Sequence, residues 1–143
     1  MNYQLDVQGY YKDQSRTGFP HSSGIYFVYR GIYIPHLKTV TLMELLYIGE
    51  TENLYDRHNE HDKRNEFLAR LQEGEELFYS FALTESLSNE QRKKVEAALI
   101  YELCPPLNVQ NVDSFIYDEI TMNVLGHRHA YIPDQINAPS YKI

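Results

Sequence analysis

The chain is poor in the residues that define several classes of protein. It has one cysteine, Cys104, so no internal disulfide can form, which argues against a small secreted disulfide scaffold and favours a cytoplasmic location. No stretch approaches the about 20 consecutive apolar residues that cross a bilayer, so no membrane partner is expected. There is no low-complexity tract and no internal repeat. A length of 143 residues then predicts one compact domain with a modest tail.

Basic residues are also scarce. The 13 Lys and Arg residues are outnumbered by 20 Asp and Glu residues, which gives a net charge of −7. Because neutralisation of phosphates by Lys and Arg supplies most non-specific affinity for nucleic acids, this composition argues against a general polyanion-binding protein. A local basic patch would have to compensate, and its candidates are Lys63, Arg64, Arg70, Arg92, Lys93 and Lys94.

Tyrosine is abundant, with 13 residues, and four of them lie in three short apolar runs. These runs predict strands over residues 24–29, 45–49 and 77–83, the first two running side by side in opposite directions. Residues 1–23 and 31–41 contain glycine, proline and polar residues, which predicts mostly loop or edge structure for the first and a long connection for the second.

Helix signals separate these strands. Thr51 is a candidate N-cap for a first helix, and a second helical stretch is expected over about 63–73. Ser88 opens a long helix, which Pro105 and Pro106 end.

Glu96 lies on this long helix in line with Leu99, Ile100 and Leu103. A carboxylate beside an apolar stripe loses hydration and therefore requires a partner. Two interpretations stay open from this feature alone. Glu96 is either a boundary residue paired with an arginine or a ligand of Mg²⁺, which commonly takes one carboxylate together with waters and phosphate oxygens.

The other candidate residues are equally ambiguous when each is taken alone. Arg57 and His61 stand four apart on one helix face and form either a solvated patch or a phosphate grip with a proton-sharing group. Tyr26 and Tyr47 either pack in the core or converge from neighbouring strands. Asn108, after two prolines, is typical of a turn cap.

Together these residues resemble a known pattern. The tripeptides Gly24-Ile25-Tyr26 and Tyr47-Ile48-Gly49 are the two signatures of the GIY-YIG nuclease superfamily. Arg57, ten residues after Tyr47, and His61, four further on, match the family's positions. Glu96 in the long helix and the closing element 105–108, which ends in Asn108, complete the match.

The resemblance implies a fold and a division of the chain. The expected fold is a small α/β (α+β) structure, with a three-stranded, mainly antiparallel sheet flanked by helices. The catalytic domain would span residues 20–108. Residues 1–19 would form an N-terminal extension, and residues 109–143 a C-terminal extension that packs on the core or trails from it.

It also implies a reaction, the hydrolysis of DNA phosphodiester bonds to 5′-phosphate and 3′-hydroxyl ends. Mg²⁺, or Mn²⁺ in its place, would bind Glu96. Tyr26 would accept a proton from the attacking water, directly or through a shared network that includes His61. Arg57 would stabilise charge on the phosphoryl oxygens, Tyr47 would contact the phosphate, and Asn108 would order the site.

One departure from the family favours an alternative function. Glu50 follows the second signature where many members have Lys or Gln, and an acidic group there should repel a phosphate. The alternative is a GIY-YIG-like binding module of low or no activity within a larger DNA-processing complex. In either case DNA is the expected partner, and a second copy of the chain or a protein partner could add the missing affinity.

Overall fold

The protein forms one continuous β-sheet with helices on both faces. The computed structural model describes residues 2–127 and 131–138. The six strands are β1 (Asn2–Lys12), β2 (Gly24–Ile34), β3 (Thr39–Thr51), β4 (Glu76–Leu83), β5 (Ile120–Gly126) and β6 (Gln135–Ala138). The α-helices are α1 (Leu54–Asn59), α2 (Arg64–Ala69) and α3 (Asn89–Leu103), and Asp13–Gly18 is a 3₁₀ helix.

The strand order is β3-β2-β4-β1-β5-β6. Strands β1 and β5 are parallel, whereas the other neighbouring pairs are antiparallel. The prediction of a three-stranded sheet flanked by helices is therefore wrong. The three strands predicted from the apolar runs lie within β3, β2 and β4, but this trio is only one half of a six-stranded mixed sheet.

Strand β1 is the main reason for this difference. Residues 1–23 were expected to be mostly loop or edge, yet Asn2–Lys12 pairs with β4 on one side and β5 on the other. Tyr3, Leu5 and Val7 are buried, and the polar residues between them are exposed. This period of two is the signature of a strand with one buried face.

The N- and C-terminal extensions of the expected domain division thus share a sheet with the central region. β1 comes from the first, and β5 and β6 come from the second. Residues 128–130 and 139–143 of the C-terminal extension lie outside the described residues.

The connection expected over residues 31–41 is mostly strand. β2 continues to Ile34 and β3 begins at Thr39, so that the two strands form a long hairpin. Lys38, in the turn, adopts a left-handed backbone conformation with φ of 53°. Pro35 does lie in the turn, but the β-branched and aromatic residues on either side of it pair across the hairpin and extend both strands toward it.

Two hydrophobic clusters lie on opposite faces of the sheet. Ile25 and Phe27 of β2 pack in the cluster that contains the buried face of α3. Tyr26 and Val28, which point the other way, pack with Leu54 of α1 in the second cluster. Strand β2 is therefore buried on both faces, and its alternate residues can serve two different layers.

The helices begin and end at recognisable signals. Ser88 and Gln91 form a capping box at the start of α3, and Cys104 ends it in a left-handed conformation. The N-cap of α1 is Asn53, whose side chain accepts from the Asp56 N–H, and not Thr51. None of the helices in the described ranges is long and apolar enough to cross a lipid bilayer.

Candidate active site

A cleft of about 290 Å³ opens at the free edge of β3, the outermost strand on its side of the sheet. The linker between α1 and α2 forms one wall, and α3 with the segment after it forms the other. The lining residues are Tyr47, Arg57, Asp62, Lys63, Glu96, Ile100 and residues 108–111. Strand, helix and loop segments that are distant in the chain therefore meet around one opening.

Tyr26 reaches this region by lying across a glycine. In the β2–β3 register Tyr26 is opposite Gly49. A Cβ atom at Gly49 would overlap the Cζ and Oη atoms of Tyr26. The absence of a side chain at position 49 therefore creates the space that the phenol occupies.

Two donors hold the Tyr26 hydroxyl oxygen. The Lys63 backbone N–H donates to Nδ1 of His61 at 3.1 Å, so in neutral His61 the ring proton is on Nε2. That Nε2–H donates to Tyr26 Oη at 2.7 Å. Arg57 Nε–H donates to the same oxygen at 3.1 Å. The hydroxyl oxygen thus accepts one neutral and one charge-assisted hydrogen bond.

Burial controls the protonation of this trio. Desolvation, with help from the nearby positive charge of Arg57, lowers the pKa of His61 to about 3, so the ring is neutral near pH 7. Burial raises the pKa of Tyr26 above its ordinary value, and Arg57 opposes that rise. Tyr26 is only 1 % exposed, so a free phenolate there needs additional positive charge.

A second histidine packs behind the phenol. The His58 ring lies 4.8 Å from the Tyr26 ring, centroid to centroid, and its Nδ1–H donates to the Leu54 carbonyl at 2.8 Å. Its Nε2 is buried and makes no hydrogen bond within the described part of the chain. Burial lowers the pKa of His58 to about 4, so this residue is neutral and acts as packing.

Tyr47 faces the cleft. Its ring centroid lies 6.2 Å from that of Tyr26 and 5.6 Å from that of His61. Burial raises the pKa of Tyr47, and Arg57 works against that rise. Of the two signature tyrosines, Tyr47 is the one that lines the opening.

Arg57 joins the tyrosine network to the cleft surface. While its Nε–H bonds Tyr26, its terminal nitrogen Nη1 lies 3.0 Å from Oδ1 of Asp62. The side chain of Arg57 is 30 % exposed and that of Asp62 is 74 % exposed. A guanidinium held in this way presents positive charge to a ligand in the cleft.

Glu96 extends from α3 into the same cleft. Burial and the nearby Glu50 carboxylate raise the pKa of Glu96 to about 7, although the Glu50 backbone N–H and Arg57 lower it in part. Within residues 2–127 and 131–138, Glu96 has no ion-pair partner. The interpretation of Glu96 as a boundary residue paired with an arginine is therefore wrong.

This carboxylate suits a divalent cation that brings most of its own ligands. No group of three or more His, Cys, Asp or Glu side chains that could hold a metal is found among the described residues. A cage made wholly of protein ligands is thus not available there. Mg²⁺ needs only one or two carboxylates when waters and phosphate oxygens complete its shell, and the half-buried carboxylate of Glu96 fits that requirement.

The electrostatic surroundings differ from expectation at Glu50. Arg92 is buried, and its Nε lies 2.6 Å from Oε2 of Glu50. The Glu50 carboxylate, which was expected to repel a phosphate, is therefore neutralised by an ion pair. The side chain of Arg92 is 3 % exposed and that of Glu50 is 18 % exposed. The same contact removes Arg92 from the expected basic patch.

Other members of that patch are also in ion pairs. Both terminal nitrogens of Arg64 bond the carboxylate of Asp13, at 2.5 and 2.6 Å. Arg70 lies 3.7 Å from Glu44. Lys63 is the one patch candidate among the residues that line the cleft, and its Nζ is 5.9 Å from the centroid of the Tyr47 ring.

Asn108 closes one wall of the cleft. Its side-chain amide donates to the Ile48 carbonyl at 2.9 Å and accepts from the Ile48 N–H at 3.0 Å. Both bonds lie on the outer edge of β3, where no further strand pairs. Asn108 therefore orders the strand that carries Tyr47 and Gly49.

The structure thus brings all the proposed residues to one region. Tyr26, Arg57 and His61 form a hydrogen-bonded trio, Tyr47 and Glu96 face the cleft beside it, and Asn108 supports the strand edge. Sequence reasoning missed Asp62, for which a lone acidic residue gives no signal. A comparison of the chain with protein-family models, curated proteins and solved structures finds no significant match.

Proposed function

We propose that this cleft binds a DNA phosphodiester beside a divalent cation and hydrolyses it to 5′-phosphate and 3′-hydroxyl ends. The proposal includes membership of the GIY-YIG nuclease superfamily and a cytoplasmic location. The observation that carries it is the Tyr26 hydroxyl oxygen, held by His61 and Arg57 next to a cleft that also contains Glu96. A half-buried carboxylate without an ion-pair partner in the described part of the chain is costly in a purely structural role.

The tyrosines would manage the proton of the attacking water. A tyrosine phenol has an ordinary pKa near 10 and is protonated at neutral pH. Burial raises the pKa of Tyr26 further, so its phenolate is harder to form. Donors aimed at its oxygen lower the cost of negative charge there. Because Tyr47 faces the cleft and Tyr26 is buried, Tyr47 would contact the phosphate. Tyr26 would first release its own phenol proton to solvent, and the phenolate, held by His61 and Arg57, would then take the proton of the attacking water.

Arg57 would stabilise the reacting phosphoryl group. Its Nε is committed to Tyr26, which fixes the plane of the guanidinium, and its terminal nitrogens point toward the cleft. A preorganised cation of this kind stabilises charge that develops on the equatorial oxygens. One guanidinium would then link the phenol to the phosphate.

Glu96 is the residue that would hold the cation. A divalent ion there supplies Lewis-acid stabilisation of the phosphate and the leaving 3′ oxygen. The positive charge of the ion would also lower the pKa of Glu96, which burial raises, and so would keep the carboxylate ionised. The carboxylate would orient the ion, and the apolar side chain of Ile100, one turn further along α3, lines the same side of the cleft.

A second candidate function is a DNA-binding module without catalysis. The observation that favours it is the loss of free positive charge, since Arg64, Arg70 and Arg92 are all in ion pairs. With a net charge of −7, the chain would need a partner to gain DNA affinity. The module and the nuclease differ in one measurable respect, which is strand cleavage.

A plasmid-nicking assay with Mg²⁺ or Mn²⁺ at low salt tests the nuclease. We expect Glu96→Gln and Tyr26→Phe each to lower the cleavage rate about 100-fold or more, because each removes a group that acts in the transition state. Tyr29→Phe is the matched control, since Tyr29 is equally buried in β2 but packs in the other hydrophobic cluster. It should cleave at the wild-type rate.

Two results would contradict the nuclease. Cleavage that persists in both active-site variants would assign the activity to something else in the preparation. Salt-dependent binding in a gel-shift titration, without cleavage in either metal, would support the binding module instead.

A further inference from the structure

Asp62 holds the part of Arg57 that a phosphate would need. Asp62 lies in the linker between α1 and α2 and lines the cleft. Its Oδ1 is 3.0 Å from Nη1 of Arg57, whose Nε is already bonded to Tyr26. An incoming phosphate must therefore use the terminal nitrogens, and a carboxylate already occupies one of them.

We propose that Asp62 is an internal competitor that sets the affinity of the cleft for phosphate esters by occupying Arg57 until a ligand displaces it. The inference rests on the proposed function only in that a phosphate enters this cleft. Carboxylate and phosphate oxygens accept the same hydrogen bonds from a guanidinium, so one can replace the other.

The Arg57–Asp62 pair is easier to open than the Arg92–Glu50 and Arg64–Asp13 pairs. Asp62 is 74 % exposed, whereas Glu50 beside Arg92 is 18 % exposed and Asp13 beside Arg64 is 22 % exposed. Exposed ion pairs contribute little free energy, because water solvates both partners once they separate. Breaking a buried pair leaves an uncompensated charge and is costly. Arg57 is thus the arginine of these three that a ligand can recruit.

The displaced carboxylate has somewhere to go. Asp62 lies at the cleft mouth and is 74 % exposed, so when its side chain turns into solvent, water can replace both the Arg57 contact and the hydrogen bond from its own backbone N–H. Its other recorded neighbour is Nδ1 of His61 at 3.5 Å, and that nitrogen already accepts from the Lys63 N–H. Because neutral His61 offers no proton at Nδ1, it does not retain the carboxylate.

Titration with inorganic phosphate tests the inference without any cleavage. The variants are Asp62→Asn and Asp62→Ala, and Glu60→Gln is the matched control. Glu60 is an exposed acidic residue two positions away, with no ion pair in the described part of the chain, so its replacement changes net charge equally. Calorimetry at fixed ionic strength, with circular dichroism to verify folding, gives the dissociation constants.

We expect both Asp62 variants to bind phosphate about fivefold more tightly than the wild type, and Glu60→Gln to change affinity by less than about twofold. Arg57→Gln in the Asp62→Asn background should remove the gain. Equal effects of Asp62→Asn and Glu60→Gln would overturn the inference, because general charge would then explain both. Absence of phosphate binding in every variant would overturn it as well.

The outcome separates this inference from the nuclease proposal. Tighter phosphate binding in the Asp62 variants, together with no plasmid cleavage by the wild type, would retain the competitor and reject the nuclease. Plasmid cleavage with unchanged phosphate affinity would do the reverse.

Discussion

Gly49 is the residue whose small size has the largest effect on the site. It lies opposite Tyr26 in the hairpin, and the phenol occupies the volume where any other residue would place a Cβ atom. Backbone of β3 and the ring of Tyr26 are both fixed by the sheet, so neither can move away cheaply. The position of the Tyr26 oxygen therefore depends on a residue that makes no hydrogen bond to it.

We expect Gly49→Ala to displace Tyr26 and to lower the free energy of unfolding by about 1–3 kcal/mol, which is the usual cost of overpacking a core. Urea denaturation measures the change. Gly18→Ala is the control, because a Cβ atom there would meet nothing within 4 Å. Equal stability of the two variants would mean that the phenol has room to move.

At this scale, residue type and spacing were enough to name six residues that the structure brings to one region. The six candidate residues could be named because their chemistry and their order along the chain match a known pattern. Sequence reasoning failed where a role depends on a partner. Glu50 was expected to repel a phosphate and Arg92 to attract one, but the two side chains form an ion pair with 2.6 Å between Nε and Oε2. Residue spacing along the chain does not predict a contact between β3 and α3.

The outer edge of β3 is the element on which the cleft is built. An unpaired strand edge exposes backbone donors and acceptors, and proteins commonly cover such edges. Here the segment after α3 does so. The Leu107 N–H donates to the Leu46 carbonyl at 3.1 Å, and Asn108 bonds both backbone groups of Ile48.

We expect Asn108→Asp to lower the free energy of unfolding by about 1–3 kcal/mol, because a carboxylate oxygen would face the Ile48 carbonyl where an amide now donates. Hydrogen exchange of the Ile48 amide should accelerate as well. Asn123→Asp, on the exposed face of β5, is the control and should leave both measurements unchanged. Unchanged exchange at Ile48 in the Asn108 variant would show that the amide is not needed at this edge.

Elements were predictable where local signals dominate. The capping residue Ser88 and the prolines after Leu103 located α3 closely. Polar and apolar residues also alternate from Asn2 to Gln8, which is typical of a strand with one buried face. The glycine, proline and small polar residues of 1–23 favour a loop instead, and that prediction is wrong for Asn2–Lys12. The partners of β1, by contrast, come from distant chain segments, and periodicity carries no information about which strands pair.

At the scale of the whole molecule, two buried histidines link stability to pH. In the unfolded chain histidine has a pKa of about 6.5. Burial lowers the pKa of His58 to about 4 and that of His61 to about 3. As the pH falls below about 6.5 the unfolded state takes up protons that the folded state refuses, so the stability due to these neutral rings is lost progressively toward pH 4 and below.

We expect His58→Asn to reduce this pH dependence. The wild type should lose up to about 3 kcal/mol more stability than the variant between pH 6.5 and 4, which is the energy equivalent of the lowered pKa. Glu96, whose raised pKa acts with the opposite sign, is present in both proteins and cancels in the difference. Urea denaturation across this range gives the two curves, and parallel curves would contradict the assignment.

The placement of β1 also governs how the chain must assemble. Strand β1 is synthesised before both of its neighbours in the sheet, β4 and then β5. Until those segments emerge, both of its edges stay open to improper pairing, and closing such long loops is entropically slow. In a nascent chain of this topology, β1 gains its second neighbour only when synthesis has passed residue 126, and a chaperone that shields Asn2–Lys12 in the meantime would raise the yield of folded protein.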